Sequence, residues 1–283
     1  EFRRVLFRSE RLMSDERALR EMICEVGRRL YQKDYIASND GNITARLDDD
    51  VILATPTGVS KGDLTPDMLC KVNMQGEQVE GYLRASSEVR MHLHCYRKRS
   101  DVHGAVHAHP PKATGYALAG IPLDQLTLPE TIVSFGCIPL APYVVPGGDE
   151  LPASIDGLIE TCDAILLANH GAVTVGADPM SAYYKMETLE HTAHITWVAH
   201  TLGGVKEMTQ AEAAQLLELR ERLGYGAKVP LCDVSPKIQA ARDSLNAPAA
   251  PAESAEPESD ADLVALITRV AADVLRERGI TSS

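Results

Sequence analysis

The residues with the clearest chemical potential are His107 and His109, separated by one position in the stretch AVHAHP. Residues 104–109 read as a strand. Alternate side chains of a strand share a face, so the two imidazoles project together and can chelate one cation. An H-x-H pair alone is equally the composition of a strand with exposed or hydrogen-bonded histidines. A second apolar run, LLANHGAV at 166–173, ends in Asn169-His170-Gly171. A buried strand that ends in a polar residue followed by glycine delivers that side chain to a cleft at the sheet edge, which offers His170 as a third imidazole. Three neutral imidazoles with one exchangeable oxygen position describe a catalytic zinc site, as opposed to a closed structural one. Glu88 is the candidate oxygen donor. It follows Ser86 and Ser87 at the start of a predicted helix over 87–99, where hydroxyls and free backbone N–H groups also suit a phosphate.

Two further segments have anion-binding chemistry: SNDGNIT at 38–44, with Gly41 and Asn42, and TPTGVSKGDL at 55–64, with Thr57 and Gly58. Both combine glycine backbone with short hydroxyl or amide donors, a neutral kit for cradling phosphate. Taken singly, each is also an ordinary polar turn, and their conjunction with the histidines carries the case. The remaining histidines point elsewhere: His92 and His94 on the predicted helix diverge, His103 lies in a turn, and His191, His194 and His200 on a long helix serve packing or surface.

The elements that must position these groups form an α/β pattern. Leu19, Met22, Ile23, Val26 and Leu30 recur at helical spacing after Ser14, a good cap. Residues 43–54 read as two short strands around the acidic turn at 48–50, residues 164–168 as a strand, and residues 179–201 as a long helix capped by Asp178. Neither G-x-G-x-x-G nor G-x-x-x-x-G-K-[ST] occurs, which argues against a doubly wound nucleotide fold. The expectation is a single three-layer α/β/α domain with a mixed, largely antiparallel central sheet.

The 283 residues divide unevenly. Residues 1–12 are basic and aromatic and read as a non-native extension ahead of Met13, and the catalytic body is expected over 13–232. Residues 233–260 form an Ala/Pro-rich linker, and 261–283 an amphipathic helix whose Leu263, Leu266, Ile267, Val270, Val274 and Leu275 line one face, implying a partner surface. Asp and Glu number 40 against 28 Lys and Arg, for a net charge of −12, which disfavours nonspecific binding to nucleic acid or anionic membrane. The six cysteines are scattered without a C-x-x-C pair and read as buried reduced thiols. With no apolar run of about 20 residues and no signal-like start, the chain reads as cytoplasmic.

With these residues in place, the sequence resembles the class II aldolase/adducin family, most closely its sugar-phosphate aldolases. The resemblance covers residues 14–216 and rests on GN at 41–42, TPTG at 55–58, SSE at 86–88, HAH at 107–109, APY at 141–143 and NHG at 169–171. It implies one Zn²⁺ per subunit on His107, His109 and His170, with Glu88 as the catalytic acid/base. It further implies substrate phosphate on Asn42, Thr57, Gly58, Ser86 and Ser87, and a homotetramer. The implied reaction is cleavage of L-fuculose or L-rhamnulose 1-phosphate between C3 and C4 to dihydroxyacetone phosphate and lactaldehyde. Related readings are a pentulose-phosphate 4-epimerase, a methylthioribulose-phosphate dehydratase, or a non-catalytic adducin-like module. The chain departs from the family pattern at Asn39, and it lacks the tyrosine that some fuculose-phosphate aldolases carry near residues 128–130. The segment 261–283 resembles the encapsulation peptides that carry enzymes into bacterial microcompartments, which implies a shell protein as partner and the compartment lumen as a location.

Overall fold

The structure, a computed structural model, describes residues 2–223 and 235–246. In chain order the elements are α1 (Phe2–Gln32), β1 (Asn42–Arg46), β2 (Val51–Ala54), β3 (Cys70–Asn73), β4 (Gln78–Glu80), α2 (Val89–Lys98), β5 (Gly104–Ala108) and α3 (Pro111–Ala119). There follow α4 (Pro129–Ser134), β6 (Leu140–Ala141), α5 (Leu151–Ser154), β7 (Ala164–Leu167), β8 (Gly171–Gly176), α6 (Pro179–Thr201), α7 (Gln210–Arg222) and α8 (Pro236–Asn246). Short 3-10 turns at Lys61–Asp63 and Pro66–Met68 join β2 to β3.

The strands form one sheet in the order β4-β3-β2-β1-β5-β8-β7-β6. Every neighbouring pair is antiparallel except β6 with β7. This is the mixed, largely antiparallel α/β arrangement read from the sequence. Side-chain alternation divides the core into two layers. On β5, β7 and β8, Val106, Ala108, Ala164, Leu166 and Ala172 face α1, α3 and α6, meeting Ile23, Leu30, Ala113, Tyr183, Met186 and Leu189. The alternate residues Ala105, Ile165, Leu167, Val173 and Val175 face the other way, toward Met91, Cys95, Ile132, Leu151 and Leu217. The long α6 is started by a capping box in which the Asp178 side chain accepts from the Ser181 N–H and the Ser181 hydroxyl accepts from the Asp178 N–H.

Three expectations need correction. Helix α1 is continuous from Phe2, so Ser14 lies inside it and caps nothing; residues 2–13 hold no Gly or Pro to stop helical propagation. The linker does not begin at 233. Pro236–Asn246 is a helix with Ile238 and Ala241 fully buried in the core and Lys237 paired with Glu207 at 2.6 Å. Two apolar side chains one turn apart suffice to dock it, too sparse a stripe to stand out in sequence. Cys137 is disulfide-bonded, against the expectation of reduced thiols, whereas Cys70, Cys95 and Cys162 are buried in the core as expected. The compact unit that holds these elements ends at Leu245. The terminal helix expected at 261–283 lies outside the described residues. No helix among the described residues is long and apolar enough to cross a membrane.

Candidate active site

His107 sits on β5 opposite Asn42 of β1 in the sheet register. His109 follows where β5 ends, and His170 occupies the turn joining β7 to β8. Two glycines permit this convergence. A Cβ on Gly171 would lie 2.5 Å from both the Ala108 carbonyl and His109 Cδ2, so only glycine lets the β7–β8 turn close onto the end of β5. Gly41, at φ +70°, brings its chain within similar reach of the His107 carbonyl, where a Cβ would stand at 2.8 Å.

The three imidazoles face one another, with ring centroids 4.6 to 5.1 Å apart and candidate ligand atoms all within 4.8 Å. His107 is fully buried, and its Nδ1 lies 2.9 Å from the Ala172 carbonyl. A carbonyl only accepts, so Nδ1 carries the proton and Nε2 turns a lone pair toward the cluster. That atom is 3.2 Å from His109 Nε2. Ligands about 2.0–2.1 Å from a tetrahedral Zn²⁺ sit roughly 3.3 Å apart, so the donor set fits a divalent cation. Burial pushes His107 down to about 3 and also lowers His109, which keeps both imidazoles neutral as metal ligation requires.

Glu88 stands at the N-terminal boundary of α2, its side chain turned into the cluster, which it completes, with no hydrogen bond to the helix. Its carboxylate oxygens lie 3.3 Å from His107 Nε2 and 3.3 Å from His170 Nε2, and the Asn42 amide donates to it at 2.8 Å. Burial opposes its charge, but hydrogen bonds from the His170 ring and the Asn42 amide more than offset this and hold the carboxyl well below the usual carboxylate range. The group is therefore an ionised carboxylate.

Beside the cluster opens a cavity of about 370 Å³, lined by Asn42, Thr57, Ser86, Ser87, Glu88, His109 and His170, with Asn39, Asp40, Gly41, Lys61 and Pro146. The Thr57 and Ser86 loops are tied together by the Thr57 N–H to Arg84 carbonyl and Ser86 N–H to Thr55 carbonyl hydrogen bonds. Of the residues expected at the site, Gly58 does not line the cavity; at φ +73° it shapes the turn after Thr57.

Sequence reasoning missed Lys61 and Asp40, although both fall in the polar segments singled out above. Asp40 faces His109 Nδ1 at 3.6 Å. It also missed His92, which does not diverge to the surface but lies fully buried behind the site, hydrogen-bonded through Nδ1 to the Thr44 hydroxyl at 2.8 Å.

A family model, the class II aldolase and adducin N-terminal domain, matches residues 21–197. The chain belongs to the class II aldolase and adducin family. This class II chain is 35% identical over 211 residues to a 3-oxo-tetronate 4-phosphate decarboxylase of Pectobacterium atrosepticum, covering 72% of this chain and 94% of the relative. It is 33% identical over 178 residues to an L-fuculose phosphate aldolase of Methanococcus maripaludis, covering 63% and 96%. Among solved structures, Escherichia coli YgbL superposes with a TM-score of 0.66 at 33% identity, over 71% of this chain and 98% of that one. The chain is thus an enzyme of the metal-dependent lyase type. Decarboxylation was not among the reactions read from the sequence.

Proposed function

We propose that the chain cleaves the carbon–carbon bond between the α and β carbons of a carbonyl in a phosphorylated sugar or sugar acid, with dihydroxyacetone phosphate as product. The observation that carries this is the Glu88 carboxylate, 3.3 Å from two of the converging imidazoles and held by Asn42, at the mouth of a cavity lined by Thr57, Ser86 and Ser87. In this reading His107, His109 and His170 hold one Zn²⁺ per subunit, which when bound supplies Lewis acidity toward the substrate carbonyl. Asn42, Thr57, Ser86 and Ser87 bind the phosphate, with Gly58 shaping the turn that presents Thr57.

For a ketose 1-phosphate of the L-fuculose or L-rhamnulose type, Glu88 takes the proton of the C4 hydroxyl. The C4 carbonyl forms, the C3–C4 bond breaks and its electron pair passes toward the C2 carbonyl. Glu88 then returns the proton to C3, and lactaldehyde leaves. The names of the decarboxylase relatives favour a second substrate, 3-oxo-tetronate 4-phosphate. There CO₂ leaves from C1, the pair passes toward the C3 carbonyl and C2 takes a proton, which yields the same triose phosphate. Only the first route needs a base to break the bond.

Release of dihydroxyacetone phosphate, measured over a panel of ketose 1-phosphates and 3-oxo-tetronate 4-phosphate, decides between them. Glu88→Gln is expected to keep its metal and lose roughly 10²- to 10⁴-fold in aldol cleavage. Unchanged turnover would overturn the role of Glu88, and no triose phosphate from any panel member would overturn the reaction.

A homotetramer follows from the family resemblance and is supported by exposed apolar residues on α3, α6 and the segments that follow them, Leu118, Ile121, Trp197 and Leu202. The body is placed in the cytoplasm. Residues 261–283 are assigned to binding a microcompartment shell protein, which would put the enzyme in the compartment lumen with fucose or rhamnose degradation.

A further inference from the structure

Lys61 follows the TPTG loop and opens the 3-10 turn Lys61–Asp63. Its backbone is clamped by α1: a Cβ on Gly27 would stand 2.3 Å from the Lys61 carbonyl, and one on Gly62 would stand 2.8 Å from the Tyr31 ring. From this fixed base the side chain runs inward, only 1% exposed, to the wall of the cavity that Thr57, Ser86 and Ser87 share. Its Nζ donates to the Asn39 carbonyl at 2.6 Å and the Val59 carbonyl at 3.0 Å. An ammonium has three N–H donors, so one is left over. Among the described residues Lys61 forms no ion pair within 4.0 Å, an unusual state for a buried charge. Burial pushes the ammonium down to about 8, against the opposing pull of Asp40 and Glu88, so it remains mostly charged near neutral pH.

We propose that the leftover Lys61 N–H meets the phosphate of the substrate, giving an otherwise neutral subsite a fixed positive charge that the ligand's own charge balances. This rests on the phosphate reading of the cavity made above. The two carbonyls orient the ammonium, and the clamp on its backbone prevents it from swinging out to water. Thr57, Ser86 and Ser87 supply direction to the phosphate oxygens, while Lys61 favours the dianion over the monoanion and over uncharged sugars.

The test uses the full-length, metal-loaded protein and inorganic phosphate, titrated calorimetrically against wild type and Lys61→Met, which keeps the length and removes the charge. Phosphate affinity is expected to fall roughly tenfold to a hundredfold, the range for a lost charged hydrogen bond, with metal content unchanged. Lys61 also tethers the segment carrying Asp40, which faces His109, so a purely structural role predicts loss of metal together with phosphate. That joint loss, or an unchanged phosphate affinity, would overturn the proposal and leave the lyase reading standing. Wild type that binds no phosphate would overturn the phosphate reading as well. A crystal structure of the wild type with phosphate gives an answer independent of any variant. Nζ is expected roughly 3 Å from a phosphate oxygen, and a phosphate seated elsewhere in the cavity counts against it.

Discussion

At the scale of single residues, His92 shows how the site is backed. Its Nδ1 meets the Thr44 hydroxyl, which also lies 2.7 Å from the Tyr96 hydroxyl, while its Nε2 is buried without a hydrogen-bond partner. Burial pushes it down to about 4, against an ordinary value of about 6.5. Between those values the unfolded chain binds a proton that the folded chain refuses, so stability rises with pH through this window and is lost as pH falls. Chemical denaturation between pH 7 and pH 4 is expected to show the wild type losing about 3 kcal/mol more than His92→Gln, which keeps a partner for Thr44 and does not titrate. Equal losses would mean that His92 accepts its proton in the folded state. The metal-ligand candidates were legible because strand alternation alone places His107 beside His109. Lys61 was not. In SKGD it has the composition of a surface turn, and the close packing of its backbone against the distant Gly27 on α1 has no mark in the local sequence.

At the scale of elements, the strands and helices that carry the site could be read locally. The hairpin β1–β2, strand β5 and the capped α6 all follow from alternation, turn residues or a helix cap within a few positions. The docking of α8 depends on packing between distant segments, which no local pattern reveals. The β7–β8 turn belongs to both classes. NHG marks it in sequence, but its closeness to β5 appears only in three dimensions. Gly171→Ala places a methyl against backbone as well as the His109 ring, and such overpacking costs about 1–3 kcal/mol. The expected result is a lower melting temperature together with reduced metal content, measured by elemental analysis. A variant that is less stable yet fully metal-loaded would show that the turn can shift without moving His170.

At the scale of the whole molecule, the compact unit that holds the site ends at Leu245, and the segment expected to target a shell lies beyond it in sequence. Removal of 261–283 is expected to leave triose-phosphate release unchanged while abolishing association with purified shell protein in co-sedimentation. Loss of the oligomer instead would mean that the tail binds its own assembly. The net charge of −12 disfavours a polyanion-binding surface without excluding a small anion. A buried lysine and a few hydroxyls inside one cavity leave no trace in a sum over 283 residues.

The β5–β8 pairing that joins the histidines has a kinetic consequence. His107 and Val173 are partners in the sheet, with more than sixty residues between them in the chain. Closing so long a loop is an entropic cost met late, when the sheet centre zips together. Before that moment an unfolded chain offers a metal only the H-x-H pair, without His170. A cation that needs all three histidines is therefore expected to bind only once this pairing has formed, which stopped-flow refolding with and without Zn²⁺ would check. It acts as a brake on unfolding and does little to speed folding, so that losing the ion shortens the lifetime of the finished enzyme without slowing its production.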